Sequence, residues 1–543
     1  MRHRARLASV LLLAVAAMGA EAVGCVDRYD PSEGCEGPAC TTGGGAGGQL
    51  DPTKNCDLTD KTLPPDGSCG VFVRSSAAAG GDGSKERPFQ SFAEAAATSP
   101  KRVYACGEMG ATYSEDAGVI FNDGVKIYGG FTACDGAWTW SPEARAALQG
   151  PADAIALTLN GGNNRLENLD VIAADASAAG ADSPGRSSIA LLANGGAVTI
   201  VNSRLEAGEA TNGAQAGTIA EDRRLDGTNG DPGLEACSPG ATHGGPAGPV
   251  TQCADGQSEG GKGGDGGTVT GTVAMYDRAD AGDGTSGKPA GSQPAQGAAG
   301  TGETAGQLCT EGKNGAPGDP GEPARPSEGL GAIDANGYTG APAERGGTGR
   351  PGQGGGGGGG ARGTAGTCGG STTRVLLPGA SGGAGGSGGC GGQGGHAGHP
   401  GGSSIALVVV EATVSLDGVS LVASDAGDGG PGGEGQLGGS SSSGGARGAR
   451  AGDAKESCAG GSGGPGGNGG PGGGGHGGHA LGVALRGGEL RGISNVSFTP
   501  GDAGTGAPGA GIAPDNGASG ANGLAEECWN FADNTACSAT AQP

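Results

Sequence analysis

Aromatic residues make up only 3% of the 543 residues, so a single large hydrophobic core is excluded. Positive charge is also scarce: 32 Lys and Arg against 56 Asp and Glu give a net charge of −24. Such a surface cannot neutralise phosphates, and we expect no nucleic-acid partner. No two cysteines have the CxxC spacing, which argues against a structural zinc site.

Glycine is abundant instead, with 130 residues where a typical protein has roughly 7%. Among the glycine tracts lie four short apolar segments that are near copies of one another: Ala154–Leu157, Ser188–Leu191, Ser404–Leu407 and Gly482–Leu485. Successive copies are 34, 216 and 78 residues apart, and each is followed by a second apolar run. Because stacked copies of a two-strand unit bury a continuous core, the pattern predicts a β-repeat with glycine-rich insertions at one corner.

The N-terminus has the pattern of an export signal. Arg2, Arg4 and Arg6 precede an apolar stretch, Leu7 to Met18, that is too short to span a bilayer. The sequence Ala22-Val23-Gly24-Cys25 resembles a bacterial lipobox, in which the cysteine is lipidated. We therefore expect a lipid anchor on Cys25, with the bilayer as partner. The alternative is an ordinary signal-peptidase site, with Cys25 free or bridged.

Cysteine parity fits an exported protein. Setting Cys25 aside from the 15 cysteines leaves an even number for disulfides. Proximity along the chain predicts five pairs: Cys35 with Cys40, Cys56 with Cys69, Cys106 with Cys134, Cys237 with Cys253, and Cys528 with Cys537. The remaining cysteines would pair among the insertions: Cys309, Cys368, Cys390 and Cys458.

Local patterns after residue 67 predict regular elements. Val71–Val73, Val103-Tyr104 and Val125 to Phe131 are typical of strands, and Ser91 to Ala97 of a short amphipathic helix.

Several residues in this region carry a family resemblance. The set is Gly81-Asp82-Gly83-Ser84, Pro88-Phe89, Ala93, Ala96, Val103-Tyr104, Tyr113 and Ile127-Tyr128-Gly129-Gly130-Phe131. It resembles the N-terminal cap and first coils of pectin-lyase-like right-handed parallel β-helices. With the lipobox and glycine tracts, the whole chain is similar to glycine-rich myxobacterial lipoproteins labelled PGRS. Its similarity to mycobacterial PE-PGRS proteins is compositional only.

The resemblance implies an all-β fold, a right-handed parallel β-helix with long glycine-rich lateral insertions. An antiparallel sandwich with disordered glycine linkers is the alternative. The predicted segments are a signal peptide (1–24), a tether (25–66), the β-helix cap and first coils (67–206), a glycine-rich insertion (207–402), a coil (403–423), a second insertion (424–479), a coil (480–498) and a glycine-rich, disulfide-closed tail (499–543).

The insertions are predicted to form extended, left-handed strands with three residues per turn that pack side by side. Flexible linker is the alternative.

Two His-x-x-His pairs precede two of the coils: His396 with His399, and His476 with His479. In an extended chain the members of a pair lie roughly 9 Å apart, too far to share one metal ion. Stacked copies would place His396 beside His476 and His399 beside His479. These four are weak candidates for a surface metal site. We favour turn residues inherited with the repeat and expect no metal and no cofactor.

Pectin-lyase-like enzymes place carboxylates, with Lys or Arg, on the outer face of adjacent coils. The acidic candidates here are Asp170, Glu206, Asp417 and Glu489. The sequence shows no close set of these with a basic residue, and it has no nucleophile motif. We expect a solvated acidic face with no catalytic residue.

The sequence thus favours a non-enzymatic lipoprotein of the cell envelope, in the outer membrane and facing the periplasm or the cell surface. It would act as a structural or adhesive module that displays glycine-rich loops to extracellular polysaccharide or surface proteins. The main alternative is a polysaccharide lyase or glycoside hydrolase. A third is a flat surface that faces ice or mineral.

Overall fold

The computed structural model describes residues 55–243, 247–291, 293, 295–368, 371–512 and 515–537. The chain separates into two units, Met1–Pro52 and Thr53–Pro543, and all described residues belong to the second. The predicted signal peptide, the lipidation candidate Cys25 and the predicted pair Cys35–Cys40 lie outside the described residues.

The described residues are almost entirely in strands and extended segments, which confirms the all-β prediction. The helix α1 (Phe92–Ala97) begins after Ser91, whose Oγ accepts a hydrogen bond from the Glu94 N–H at 3.0 Å. Short 3-10 helices cover Arg223–Leu225 and Pro239–His243.

The strands are, in chain order, β1 (Val71–Val73), β2 (Arg102–Cys106), β3 (Thr112–Ser114), β4 (Val119–Asn122), β5 (Lys126–Thr132), β6 (Thr139–Trp140), β7 (Ala146–Gln149), β8 (Leu157–Asn160), β9 (Asn163–Glu167), β10 (Leu169–Ile172), β11 (Ser188–Val201), β12 (Arg204–Glu206), β13 (Val250–Cys253), β14 (Gly256–Glu259), β15 (Val269–Thr272), β16 (Met275–Arg278), β17 (Ala332–Asp334), β18 (Gly337–Thr339), β19 (Thr364–Gly366), β20 (Val375–Leu377), β21 (Ser404–Asp417), β22 (Ser420–Val422), β23 (Ala480–Ser494), β24 (Ser497–Thr499), β25 (Ala525–Asn530) and β26 (Thr535–Ala536). The predicted strands over 71–73, 103–104 and 125–131 correspond to β1, β2 and β5.

Two sheets contain most of these strands. The twelve-stranded sheet has the main order β1-β2-β5-β9-β11-β21-β23-β25-β26, with β8 beside β11, β4 beside β8, and β6 beside β5. The six-stranded sheet has the order β24-β22-β12-β10-β7-β3. Among the described strands of these sheets, all pairs are parallel except β5 with β6 and β25 with β26. The alternative of an antiparallel sandwich is therefore wrong.

One hydrophobic core contains buried residues of both sheets, because alternate side chains of each strand point inward. The twelve-stranded sheet contributes a ladder of Cα partners: Leu157, Leu191, Leu407 and Val483. The six-stranded sheet contributes another: Leu148, Val171, Leu205 and Leu421. Each of these eight side chains is at most 2% exposed.

The spacing of the repeat is confirmed at two intervals and wrong at the third. Leu191 pairs with Leu157, and Ile189 with Ile405, as intervals of 34 and 216 require. Ile405 pairs with Leu481 instead of Val483, so the last interval is 76 residues and not 78. A slip of two residues keeps every side chain on the same face of a strand, so the apolar pattern alone could not exclude it.

The end of the predicted tether packs on the twelve-stranded sheet. Cys56 and Leu58 are buried, and Tyr104 Oη donates a hydrogen bond to the Cys56 carbonyl at 2.6 Å. The Asp57 carboxylate lies 2.7 Å from Arg102 Nε and 3.0 Å from Lys126 Nζ. The tether prediction is therefore wrong from residue 55 onward, because the sheet supplies burial that this polar segment lacks by itself.

The glycine-rich insertions form a packed bundle of extended segments. Backbone hydrogen bonds between neighbouring segments recur every third residue. In one pair of segments they run at 2.8 to 2.9 Å from the N–H groups of Gly261 to Gly355, Gly264 to Gly358, and Gly267 to Ala361. Glycine is required at such contacts: a Cβ on Gly357 would lie 1.9 Å from the Lys262 carbonyl oxygen. The predicted three-residue period is confirmed, and the flexible-linker alternative is wrong.

The two insertions pack against each other. Gly227 of the first donates to the Ser440 carbonyl of the second at 3.0 Å, and Gly383 donates to the Cys458 carbonyl at 3.1 Å. The first insertion also contains four antiparallel hairpins among its described residues: β13–β14, β15–β16, β17–β18 and β19–β20. The β15–β16 hairpin presents Met275, which is 84% exposed, together with Val273.

Candidate functional site

Six disulfides join described cysteines. Three are the predicted pairs Cys56–Cys69, Cys106–Cys134 and Cys528–Cys537. The predicted pair Cys237–Cys253 is wrong, and the bonds inside the bundle are Cys237–Cys368, Cys253–Cys390 and Cys309–Cys458. Proximity along the chain fails there because extended segments place residues more than a hundred positions apart side by side.

Two of the four candidate carboxylates meet on the outer face of the six-stranded sheet. Arg145 lies 3.3 Å from Asp170, and Arg204 lies 2.7 Å from Glu206. Asp170 and Arg204 are Cα partners on β10 and β12. We call these four residues the acid–arginine set. The expectation that no candidate carboxylate has a close basic partner is therefore wrong.

Strand alternation explains how the acid–arginine set forms. Val171 and Leu205 point into the core, so the residues beside them in each strand point outward. Arg145 Nη2 also donates to Asn202 Oδ1 at 2.7 Å, which orients its guanidinium. Asp170 and Glu206 each lie beside an arginine. Two carboxylates in such similar surroundings lack the contrast that separates a general acid from a general base.

The other two carboxylates lie on the twelve-stranded sheet. Asp417 Oδ1 accepts a hydrogen bond from Ser494 Oγ at 2.6 Å, and Glu489 pairs with Arg491 at 2.6 Å. The structure therefore does not bring the four sequence candidates together in one site.

Protein groups satisfy both ring nitrogens of His479. Nε2 donates to the Leu330 carbonyl at 2.7 Å, and Nδ1 accepts from the Leu524 N–H at 3.0 Å. Burial lowers the pKa of His479 to about 4. Tyr338 and Phe531 contact the ring edge to face, and sequence reasoning missed both. A neutral histidine with both nitrogens occupied is a packing residue and not a ready metal ligand.

The stacking prediction for the two histidine pairs is wrong. A Cβ on Gly472 would lie 2.1 Å from the His396 carbonyl oxygen, and one on Gly475 would lie 2.0 Å from that of His399. The first pair thus lies level with glycines, because neighbouring segments are offset by 76 residues. His399 Nε2 instead lies 3.0 Å from Asp182 Oδ1.

The rings of His476 and His479 are 5.7 Å apart, closer than an extended spacing predicts. Another group of metal-ligating residue types, Cys106, Glu108 and Cys134, contains a disulfide, so its sulfurs are not free to bind an ion.

The six disulfides indicate an oxidising, extracytoplasmic compartment. Within the part of the chain that the structure describes, no helix has the length and apolar character needed to cross a membrane. No family model matches the chain, and no curated protein or solved structure matches it.

Proposed function

We propose that the chain is a non-enzymatic, exported module of the cell envelope. A rigid β-scaffold, anchored through a lipid on Cys25, would hold the hairpins of the glycine-rich bundle toward extracellular polysaccharide or surface proteins. The observation that carries the proposal is the cross-linked bundle: disulfides and a three-residue ladder of backbone hydrogen bonds order a long stretch of chain. The resemblance to glycine-rich envelope lipoproteins agrees with this role.

The proposed scaffold is a right-handed parallel β-helix. In its favour, the strands from β9 to β12 and from β21 to β24 alternate between the two sheets along the chain. Each enters its sheet parallel to the strand before it, as successive coils of a β-helix do.

Display of several weak contacts on one rigid support favours multivalent adhesion. Ordering the support in advance removes its conformational entropy cost from binding, and neighbouring contacts raise each other's effective concentration. The exposed Met275 and Val273 on the β15–β16 hairpin are the best contact candidates, because large apolar side chains seldom face solvent singly without cost.

A polysaccharide lyase or glycoside hydrolase is the second candidate function. The acid–arginine set favours it, because arginines beside carboxylates can bind acidic sugars. The paired state of both carboxylates argues against general acid and base work, so this function stands second.

A binding assay with the purified full chain tests both functions. The chain is incubated with acidic and neutral polysaccharides, and both polymer size and co-elution are followed. We expect co-elution without shortening. Shortened polymer that depends on Asp170 and Glu206, as tested with Asp170→Asn and Glu206→Gln, would replace the adhesive function with the enzymatic one.

Point variants locate the contact surface. The double variant Val273→Ser and Met275→Ser should lose co-elution, whereas Met109→Ser should keep it, since Met109 is 98% exposed outside the bundle. Deleting residues 207–402 would be a poorer test, because the second insertion would lose its hydrogen-bond partners. Equal binding by all three proteins would contradict a contact surface on this hairpin.

A further inference from the structure

The twelve-stranded sheet has a free edge along part of β23. One side of β23 pairs with β21 from Ala480 to Ser494, but on the other side β25 pairs only with Ala480–Leu485. Among the described residues, no strand covers the outer side of residues 486–494. Unpaired backbone groups at such an edge are a template for another strand.

An apolar cavity of about 140 Å³ adjoins this edge. It is lined by core residues of both sheets, including Leu416 and Leu421, and by the half-buried Leu490 and Ile493 of β23. The core is therefore incompletely covered next to the free edge, and a strand added there would bury more of this lining.

The charges on the edge are arranged symmetrically about Leu490. Glu489 and Arg491 flank it, with their side chains on the outer face and 2.6 Å apart. They are 52% and 65% exposed and thus accessible. In an antiparallel pair centred on Leu490, each Glu489 would lie opposite Arg491 of the other chain, and Leu490 opposite its own copy.

This arrangement selects the partner. An edge that carries charges of one sign repels a second copy of itself, which is how many proteins protect exposed strands. Here the opposite signs on either side of Leu490 make the edge complementary to itself. Gly488 (φ 82°) and Gly492 (φ 54°) bend the chain on both sides, so the paired stretch is Glu489 to Arg491.

We propose that this edge of β23 binds the same edge of a second copy of the chain, forming a symmetric dimer. The dimer extends the twelve-stranded sheet through an antiparallel contact centred on Leu490, and it brings the two apolar cavities together. Isologous contacts of this kind are the commonest way in which soluble chains associate.

Sedimentation equilibrium of the full chain over a range of concentrations tests the proposal. The wild-type chain is expected to reach the mass of two chains. Glu489→Arg and Arg491→Glu should each remain monomeric, because like charges then face each other across the contact. The double variant Glu489→Arg/Arg491→Glu should dimerise again, and an equimolar mixture of the two single variants should form a mixed dimer.

A charge reversal elsewhere provides the matched control. Lys262 is 45% exposed and pairs with Asp265 inside the bundle, so Lys262→Glu should leave the dimer unchanged. A wild-type chain that stays monomeric would overturn the proposal and leave the edge to another occupant, such as residues 538–543. Dimers that persist in both single variants, or a double variant that stays monomeric, would also overturn it.

Discussion

Cys309 and Cys458 form a disulfide that joins the two glycine-rich insertions across 149 residues of chain. The bond lies within the hydrogen-bonded bundle: the Cys458 N–H donates to the Gly359 carbonyl at 3.1 Å, and its own carbonyl accepts from Gly383. It thus links segments that the chain separates by two strands of each main sheet region, and it holds them at one register.

Removing this bond should destabilise the protein more than removing a short-range one. The variant Cys309→Ser/Cys458→Ser should lose up to about 5 kcal/mol of unfolding free energy, since a crosslink that closes a longer loop restricts the unfolded chain more. Cys528→Ser/Cys537→Ser is the control, because that bond spans 9 residues. Chemical denaturation measures both. Equal losses would contradict the loop-length argument.

Glycine at the contacts of the bundle should not tolerate a methyl group. A Cβ on Gly357 would meet the backbone of Lys262 at 1.9 Å, so Gly357→Ala must push two segments apart. We expect a loss of about 1 to 3 kcal/mol, the usual range for overpacking. Gly217→Ala is the matched control, since nothing lies within 4 Å of its Cβ position. Similar thermal midpoints for the two variants would show that the bundle is loosely packed.

His479 should make stability depend on pH. Burial lowers its pKa to about 4, whereas the unfolded side chain titrates near 6.5. The unfolded state therefore binds more protons between these values, and stability falls as the pH is lowered from about 6.5 to about 4. The loss attributable to this group is about 3 kcal/mol.

Denaturation at pH 7 and near pH 4 measures this effect. His479→Phe should show a smaller fall than the wild type, whatever its stability at pH 7. His399→Gln is the control, because His399 is partly exposed beside Asp182. An unchanged pH dependence in His479→Phe would disprove the assignment.

Asp57 should hold the segment from residue 55 onto the sheet. The hydrogen bond from Arg102 lowers the pKa of Asp57, with Lys126 contributing, so its stabilisation is present above pH 4 and is lost as the pH falls through the lowered value. Asp57→Asn should cost about 1 to 3 kcal/mol, because Arg102 is nearly buried and loses its charged partner.

Asp135→Asn is the matched control for this change. Asp135 also pairs with an arginine, Arg74, but it is 82% exposed, and exposed pairs contribute little. Limited proteolysis at residues 55–66 would add a local readout. If both variants were equally stable and equally resistant, the contact with Arg102 would have no structural role.

The acid–arginine set shows where sequence reasoning was insufficient. Asp170 and Glu206 could be selected as outward carboxylates because they alternate with buried apolar residues. Arg145 and Arg204 could not be assigned to them, since the pairing of β7, β10 and β12 depends on a register that no local pattern specifies. The histidine pairs failed for a related reason, as the difference between an offset of 76 and one of 80 residues changes every neighbour.

The sequence by itself determined the local properties: the all-β class, the short-range disulfides and the three-residue period of the glycine tracts. Each follows from residues close in the chain, through side-chain alternation, loop closure or the small size of glycine. Only the tertiary structure decided the long-range disulfides, the last repeat interval and the position of residues 55–66. Glycine segments present nearly identical surfaces, so their own sequences cannot select a neighbour, and the packing of the whole bundle on the β-sheets makes that choice.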